Sequence, residues 1–279
     1  MKFQRALSTA CGAILACAVT SAAFAADCGN VSSSPRKITT GVVFATSLLN
    51  VDADGAPNSY RVDGKGLSYT CDGVTAVGST PKSDPDHWQQ KCRAAWAKAV
   101  ATKDYSGVRI FGFAKDAHGV PVVQTDGDAL PKDAFVSETR VPVPDGPVGT
   151  QRHWVDATKI PYVVLTSSFV AKYHVKPGDL AAVYWPNSHK VALAVYGDEG
   201  GLGEASVRLH YDLGNDPMVK SGGVQRAKNA IGSRVITVVF PGSSTNPTVN
   251  SDKWIAQIRS DGGQALKDWG GEGFLKSCH

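Results

Sequence analysis

Hydrophobic positions along the chain fall into three regimes. From Ala6 to Ala23 small and apolar residues run behind Lys2 and Arg5, and Ala23-Phe24-Ala25 supplies the small-x-small pattern of a signal-peptidase site. Ser8, Thr9, Thr20 and Ser21 interrupt that run and make it a poor permanent anchor, so residues 1–25 are expected to be a cleaved signal peptide. The second regime is helical. Trp88, Cys92, Ala95 and Ala99 line one face of Asp86–Val100, with Ser83 or Asp84 placed to cap it and Pro85 suited to a first turn. The third consists of short apolar or alternating runs: Gly41–Leu48, Val108–Phe113, Val120–Gln124, Ile160–Leu165, Leu180–Trp185, Val191–Tyr196, Ala205–Tyr211 and Val235–Phe240. Polar turn clusters separate them, among them residues 50–58, 115–119 and 176–179. No other long helical period is read. The pattern predicts an α+β, β-dominated fold: a single domain over residues 26–279 with a barrel-like or sandwich core (a double-psi barrel is one form) and one clear helix near 86–100.

Composition narrows the function. The 279 residues are 42% hydrophobic and 19% charged, an ordinary globular mixture. Lys and Arg exceed Asp and Glu by 29 to 25, a formal charge of +4, with no basic run and no basic stripe interleaved with aromatics. Nucleic acid is therefore not expected as a partner, nor is a stable membrane anchor, and the chain is expected to act as a monomer, periplasmic or extracellular after export. Of six cysteines, Cys11 and Cys17 fall in the leader, leaving Cys28, Cys71, Cys92 and Cys278. In an exported protein these suggest two disulfides, with three connectivities open. No pair has the C-x-x-C spacing of a metal site, and the seven histidines show no His-x-x-x-His arrangement, so no metal or cofactor is expected.

The most informative segment is residues 196–206, Tyr-Gly-Asp-Glu-Gly-Gly-Leu-Gly-Glu-Ala-Ser. A hydrophobic strand delivers Asp198 to its end, a glycine-rich loop follows, and Glu204 opens the next alternating run. If that run is a strand, Glu204, Ser206, Arg208 and His210 share its polar face. Two carboxylates on strand ends suit hydrolysis of a glycosidic bond, where one carboxyl protonates the leaving oxygen and the other activates water or attacks. A turn rich in Asp, Glu and Gly for purely conformational reasons is the plain alternative. No Gly-x-Ser-x-Gly elbow is present.

The Gly197-Asp198 and Gly203-Glu204-Ala205-Ser206 signature resembles the fungal-type chitosanases, glycoside hydrolase family 75. Other segments agree in order: residues 51–60 and 66–69, Phe135–Thr139, Val155–Val164, Lys176–Leu180 and Phe240–Ser243. Together they span about residues 43–244. The loop after Asp198 is short, and the stretch from Trp254 through Trp269 to Cys278 carries no recognised motif. The resemblance implies a secreted endo-glycosidase that hydrolyses β-1,4 linkages of chitosan with inversion, with Asp198 and Glu204 as the essential carboxylates. Their order is open, Glu204 as acid and Asp198 as base being the favoured assignment. Chitosan, or a related amino-sugar polysaccharide, is a polycation and calls for a locally acidic groove. Asp52, Asp54 and Glu199 are expected to line it, with Tyr60 or Tyr69 stacking a sugar and Arg208 nearby. Asp52 and Asp54 suit an Asx-type turn equally well; as calcium ligands they fail the EF-hand pattern, since Gly55 follows directly and no Glu closes the loop. A non-catalytic polysaccharide- or protein-binding module on the same scaffold is the alternative, as is a hydrolase of another cell-wall glycan such as peptidoglycan.

Overall fold

The computed structural model describes residues 27–279, and the signal peptide expected over residues 1–25 lies outside them. Strands β1 (Arg36–Ile38), β2 (Gly41–Thr46) and β3 (Asn50–Asp52) come first. They are followed by β4 (Val74–Ala76), helix α1 (Trp88–Thr102) and β5 (Val108–Ile110). After a long irregular stretch come β6 (Tyr162–Leu165), α2 (Ser167–Tyr173), β7 (Leu180–Trp185), β8 (Lys190–Glu199), β9 (Glu204–Ser206) and α3 (Val207–Leu213). The hairpin β10 (Met218–Ser221) and β11 (Val224–Ala227), strand β12 (Val235–Phe240), and helices α4 (Ser251–Trp269) and α5 (Gly271–Lys276) complete the chain.

Eight strands form one sheet in the order β1-β2-β12-β7-β8-β6-β9-β3. The reason lies in the runs themselves. β12 reads Val-Ile-Thr-Val-Val-Phe and is buried at every position, so it takes an interior place, and β2 and β7 flank it antiparallel. Burying each such Val or Ile contributes about 1.5–3 kcal/mol. The β-dominated α+β expectation holds, but the sheet is open, with β1 and β3 as its edges, and does not close into a barrel.

Helix α4 packs on β7 and β8 and was not read from the sequence. Its buried positions, Trp254, Ile258, Gly262, Leu266 and Trp269, fall at helical spacing, and the Asn250 side chain caps it by accepting from the Lys253 N–H at 3.0 Å. The Gly262-Gly263 pair reads as a breaker in isolation. In the fold, Gly262 is buried within the helix and faces Leu180 and Leu193 of the sheet.

A second, smaller core sits between β3 and β6 in sequence. Helix α1 occupies the expected region, and Cys92 and Ala99 face a cluster with Tyr60, Val74, Ile110, Phe113 and Phe135, Trp88 and Trp96 packing at its margin. The strand expected at Val108–Phe113 is only three residues long, and Val120–Gln124 makes isolated bridges, although the turn at 115–119 forms as read, with the Gly119 N–H donating to the Asp116 carbonyl. Two disulfides form, Cys71–Cys92 within this small core and Cys28–Cys278 joining the ends of the described chain.

Candidate active site

β8 and β9, which carry the two candidate carboxylates, do not pair with each other. β6 lies between them, parallel to β8 and antiparallel to β9, so the loop 200–203 crosses over the end of β6. Along β8 the pairing shifts by one residue: Val163 faces Tyr196, but Val164 faces Asp198. Gly197 is the extra residue of this β-bulge, and the bulge turns Asp198 onto the face it would otherwise avoid. Only glycine fits there, because a Cβ would lie 2.5 Å from the Tyr162 side chain. At the far end of the loop Gly203 adopts a left-handed φ of +91° beneath the Leu48 carbonyl, and the chain re-enters the sheet at Glu204.

Asp198 is 8% exposed. One of its carboxyl oxygens accepts from the backbone N–H groups of Arg140 and, at 2.8 Å, Glu199. Burial nevertheless pushes its pKa well above the ordinary carboxylate value, with the charges of Asp52 and Glu204 adding to the rise and the two N–H groups opposing it. Glu204 is half-buried, and its Oε2 accepts from the Gly201 N–H at 3.2 Å. Burial and the Asp52 charge raise its pKa too.

β3 runs parallel to β9, with Asn50 opposite Glu204 and Asp52 opposite Ser206, and this places Asp52 in the same site. One oxygen from each of Asp52, Asp54 and Asp198 lies within 4.8 Å of the others. Desolvation raises the pKa of Asp52, against stabilising contacts from the Asp54 N–H, Tyr162 and Asp198, and raises that of Asp54 well above normal with help from Asp52 and Asp198. The Asx turn expected here also forms, since the Asp54 N–H donates to the Asp52 carboxyl at 2.8 Å. Three carboxyl oxygens so close could surround a cation, an ammonium group or a metal ion. They fall short of the roughly six to eight oxygens that Ca²⁺ takes.

These groups line a cavity of about 660 Å³ together with Tyr60, Glu138, Glu199 and Trp154. Glu199 sits at its rim, 3.7 Å from the exposed Arg140. Tyr60 reaches the cavity, but its ring is 3% exposed and packs 5.1 Å from Phe113, so it offers no face for a sugar. Tyr69 lies outside this cavity, an exposed ring with the Arg226 guanidinium 4.3 Å from its centroid. Arg208 is a correction. The run Ala205–Tyr211 is a strand only as far as Ser206: the Ser206 hydroxyl caps a helix by accepting the Leu209 N–H at 3.1 Å, and α3 begins at Val207. Arg208 therefore points away from the cavity and pairs with Asp212 one turn on, at 2.9 Å. His210 is buried within α3, bonded to the Asn50 carbonyl and to Asn215. Sequence reasoning missed Phe111 and Glu138 as lining residues.

A buried carboxyl whose pKa burial raises, a second carboxyl across a short loop and an acidic wall thus share one cavity. The family profile described as fungal chitosanase of glycosyl hydrolase group 75 matches residues 67–273. The chain belongs to this family. It is a glycoside hydrolase of the chitosanase type. No curated protein matches the chain. The matched stretch contains Asp198, Glu204 and all of α4, whereas Asp52 and Asp54 precede it, so the chitosanase family match covers one wall of the cavity and the geometry alone brings in the other. Among the described residues no helix is long and apolar enough to cross a membrane.

Proposed function

We propose that this chitosanase-family chain is exported and cleaves internal β-1,4 linkages of glucosamine polymers with inversion, using Asp198 and Glu204. The observation that carries the reading is the placement of both carboxyls in one acidic cavity, with Asp198 buried beside Asp52. The Asp52–Asp198 pair is best supplied with a single shared proton, because two carboxylates this close resist ionising together. Asp198 is then the acid, which reverses the order favoured from sequence, and the more open Glu204 is the base.

In the reaction the Asp198 carboxyl gives its proton to the glycosidic oxygen as the bond from that oxygen to the anomeric carbon breaks. Glu204 takes a proton from a water molecule whose oxygen forms the new bond on the opposite face of the sugar. Asp198 leaves as carboxylate and Glu204 as carboxylic acid, and exchange with solvent restores both. Inversion of this kind wants roughly 6.5–9.5 Å between the carboxyl groups, room for one water. The protonated amines of the substrate meet Asp54, Asp52 and Glu199. Two disulfides fit an oxidising compartment.

The test is digestion of fully deacetylated glucosamine hexamer, with products read by mass spectrometry and the first-formed anomer by NMR. Asp198→Asn and Glu204→Gln are each expected to lower the rate about 10²–10⁴-fold without lowering the melting temperature at neutral pH. An α-anomer formed first supports inversion, and a β-anomer overturns it. Failure of the parent enzyme on chitosan, chitin and peptidoglycan would leave a binding module as the better reading.

A further inference from the structure

Phe111 is the large aromatic side chain that the cleft leaves uncovered, 52% exposed among neighbours that are mostly buried. It stands where two depressions meet. Phe111 and Glu138 line both the catalytic cavity of about 660 Å³ and an adjoining one of about 670 Å³. Either volume matches a single small ligand, and the two joined exceed what one sugar requires, as expected of a groove for a polymer.

The Phe111 platform is fixed. Its N–H donates to the Gly73 carbonyl at 2.9 Å, the Gly112 N–H shares that acceptor at 3.1 Å, and Gly73 lies two residues from the Cys71–Cys92 disulfide. Glu138 is held beside it, its N–H donating to the Gly112 carbonyl at 3.2 Å. The Glu138 carboxyl is half-buried and takes no hydrogen bond among the described residues; Lys115 and His153 act on it only at a distance. Burial raises its pKa. Past this point the lining changes sign, with Lys103, Arg109 and Lys115 against Asp104.

Resting on the chitosan-hydrolase reading, we propose that Phe111 and Glu138 form a glucosamine subsite outside the catalytic pair. The apolar face of one sugar ring lies on Phe111, and its ammonium group is bound by the Glu138 carboxylate at the margin of the acidic groove. An uncovered ring in a rigid setting loses little conformational freedom when a sugar covers it. A half-buried carboxylate without a partner gains a charge-assisted hydrogen bond that an acetamido group cannot supply. Phe111 thus contributes affinity for any sugar of the series, and Glu138 contributes preference for the deacetylated one.

The test measures binding of glucosamine hexamer and N-acetylglucosamine hexamer by calorimetry at pH 6, in the Glu204→Gln background so that cleavage is slow on the time of the titration. Phe111→Ala is expected to weaken both about tenfold, with Phe111→Trp restoring them; Glu138→Gln is expected to weaken only the glucosamine hexamer, again about tenfold. Unchanged affinity in Phe111→Ala, equal losses for both sugars in Glu138→Gln, or no binding of either hexamer would overturn the subsite. Cleavage by the parent enzyme is followed separately. Selective binding without cleavage sinks the hydrolase reading and keeps the subsite, and cleavage with binding insensitive to both residues does the reverse.

Discussion

The two sides of the catalytic cleft are built by different means. Asp52, Asp198 and Glu204 stand on β3, β8 and β9, at the ends of strands whose neighbours are buried apolar residues. Phe111, Glu138 and Tyr60 stand on turns and single bridges around α1, in a region whose small core is stapled by Cys71–Cys92. Each half carries one disulfide, Cys28–Cys278 on the sheet side and Cys71–Cys92 on the loop side. The buried strands of the sheet add hydrogen-bond ladder and apolar contact, of which the loop side has less, so the loop side depends more on its disulfide. In the proposed function, the buried carboxyls stand on the strands, and the proposed sugar contacts stand on turns and bridges.

This contrast can be broken by experiment. The largest effect is expected on the loop side. Replacing Cys71 and Cys92 by serine opens a loop of 21-residue separation and should cost about 3 kcal/mol of stability. Hydrogen exchange should show the loss around residues 69–113, with β2, β12 and β7 still protected. Equal deprotection of the sheet would mean that the two halves form one cooperative unit.

On the sheet side, Asp52→Asn should lower kcat about 10²-fold, the low end of what acid–base assistance supplies. It should also move the alkaline limb of the pH profile to lower pH, because the Asp198 carboxyl loses the neighbouring charge that helps to raise its pKa. The same change should raise the melting temperature at neutral pH. In the folded state these carboxyls have raised pKa values and hold more protons than in the unfolded chain, so native stability falls as pH rises above about 4. Asp52→Asn should flatten that fall. A loss of rate with the pH limb unmoved would make Asp52 a structural residue only.

The smallest effect concerns His210, whose pKa is pushed down to about 4 by burial, against the Asn50 carbonyl that favours the charged ring. The unfolded chain takes up the proton near pH 6.5 and the folded chain only near 4, so stability is lost as pH falls through that window, by about 2 kcal/mol at pH 5. His210→Asn should remove this dependence in thermal melts between pH 4 and 7. A melt curve that keeps its slope would place the acid sensitivity elsewhere.

Several features were legible in the chain because local pattern decides them. The run Val235–Phe240 is apolar but for Thr237 and β-branched but for Phe240, and it became a fully buried interior strand. Trp88, Cys92, Ala95 and Ala99 recur at helical spacing, and they face the small core. Asp198 and Glu204 flank a glycine loop, and a loop of that length holds its ends close whatever the fold. Other features were misread where a local signal pointed the wrong way. Alternation over Ala205–Tyr211 suggested a strand, yet the Ser206 cap turns the chain into α3 and carries Arg208 off the site. The stretch from Trp254 to Cys278 carried no recognised motif, although Trp254, Ile258, Leu266 and Trp269 recur at the helical spacing of α4.

What the sequence by itself determined is the set of elements whose burial pattern is written in consecutive residues, and the nearness of two carboxylates across six positions. What only the tertiary structure decided is everything that joins distant segments: the parallel pairing that brings Asp52 beside Glu204, the bulge at Gly197 that aims Asp198, the burial of Tyr60 and the exposure of Phe111. Periodicity reports which face of an element is apolar. It carries no information about which other element covers that face, and in this molecule that choice buries Asp198 and raises its pKa.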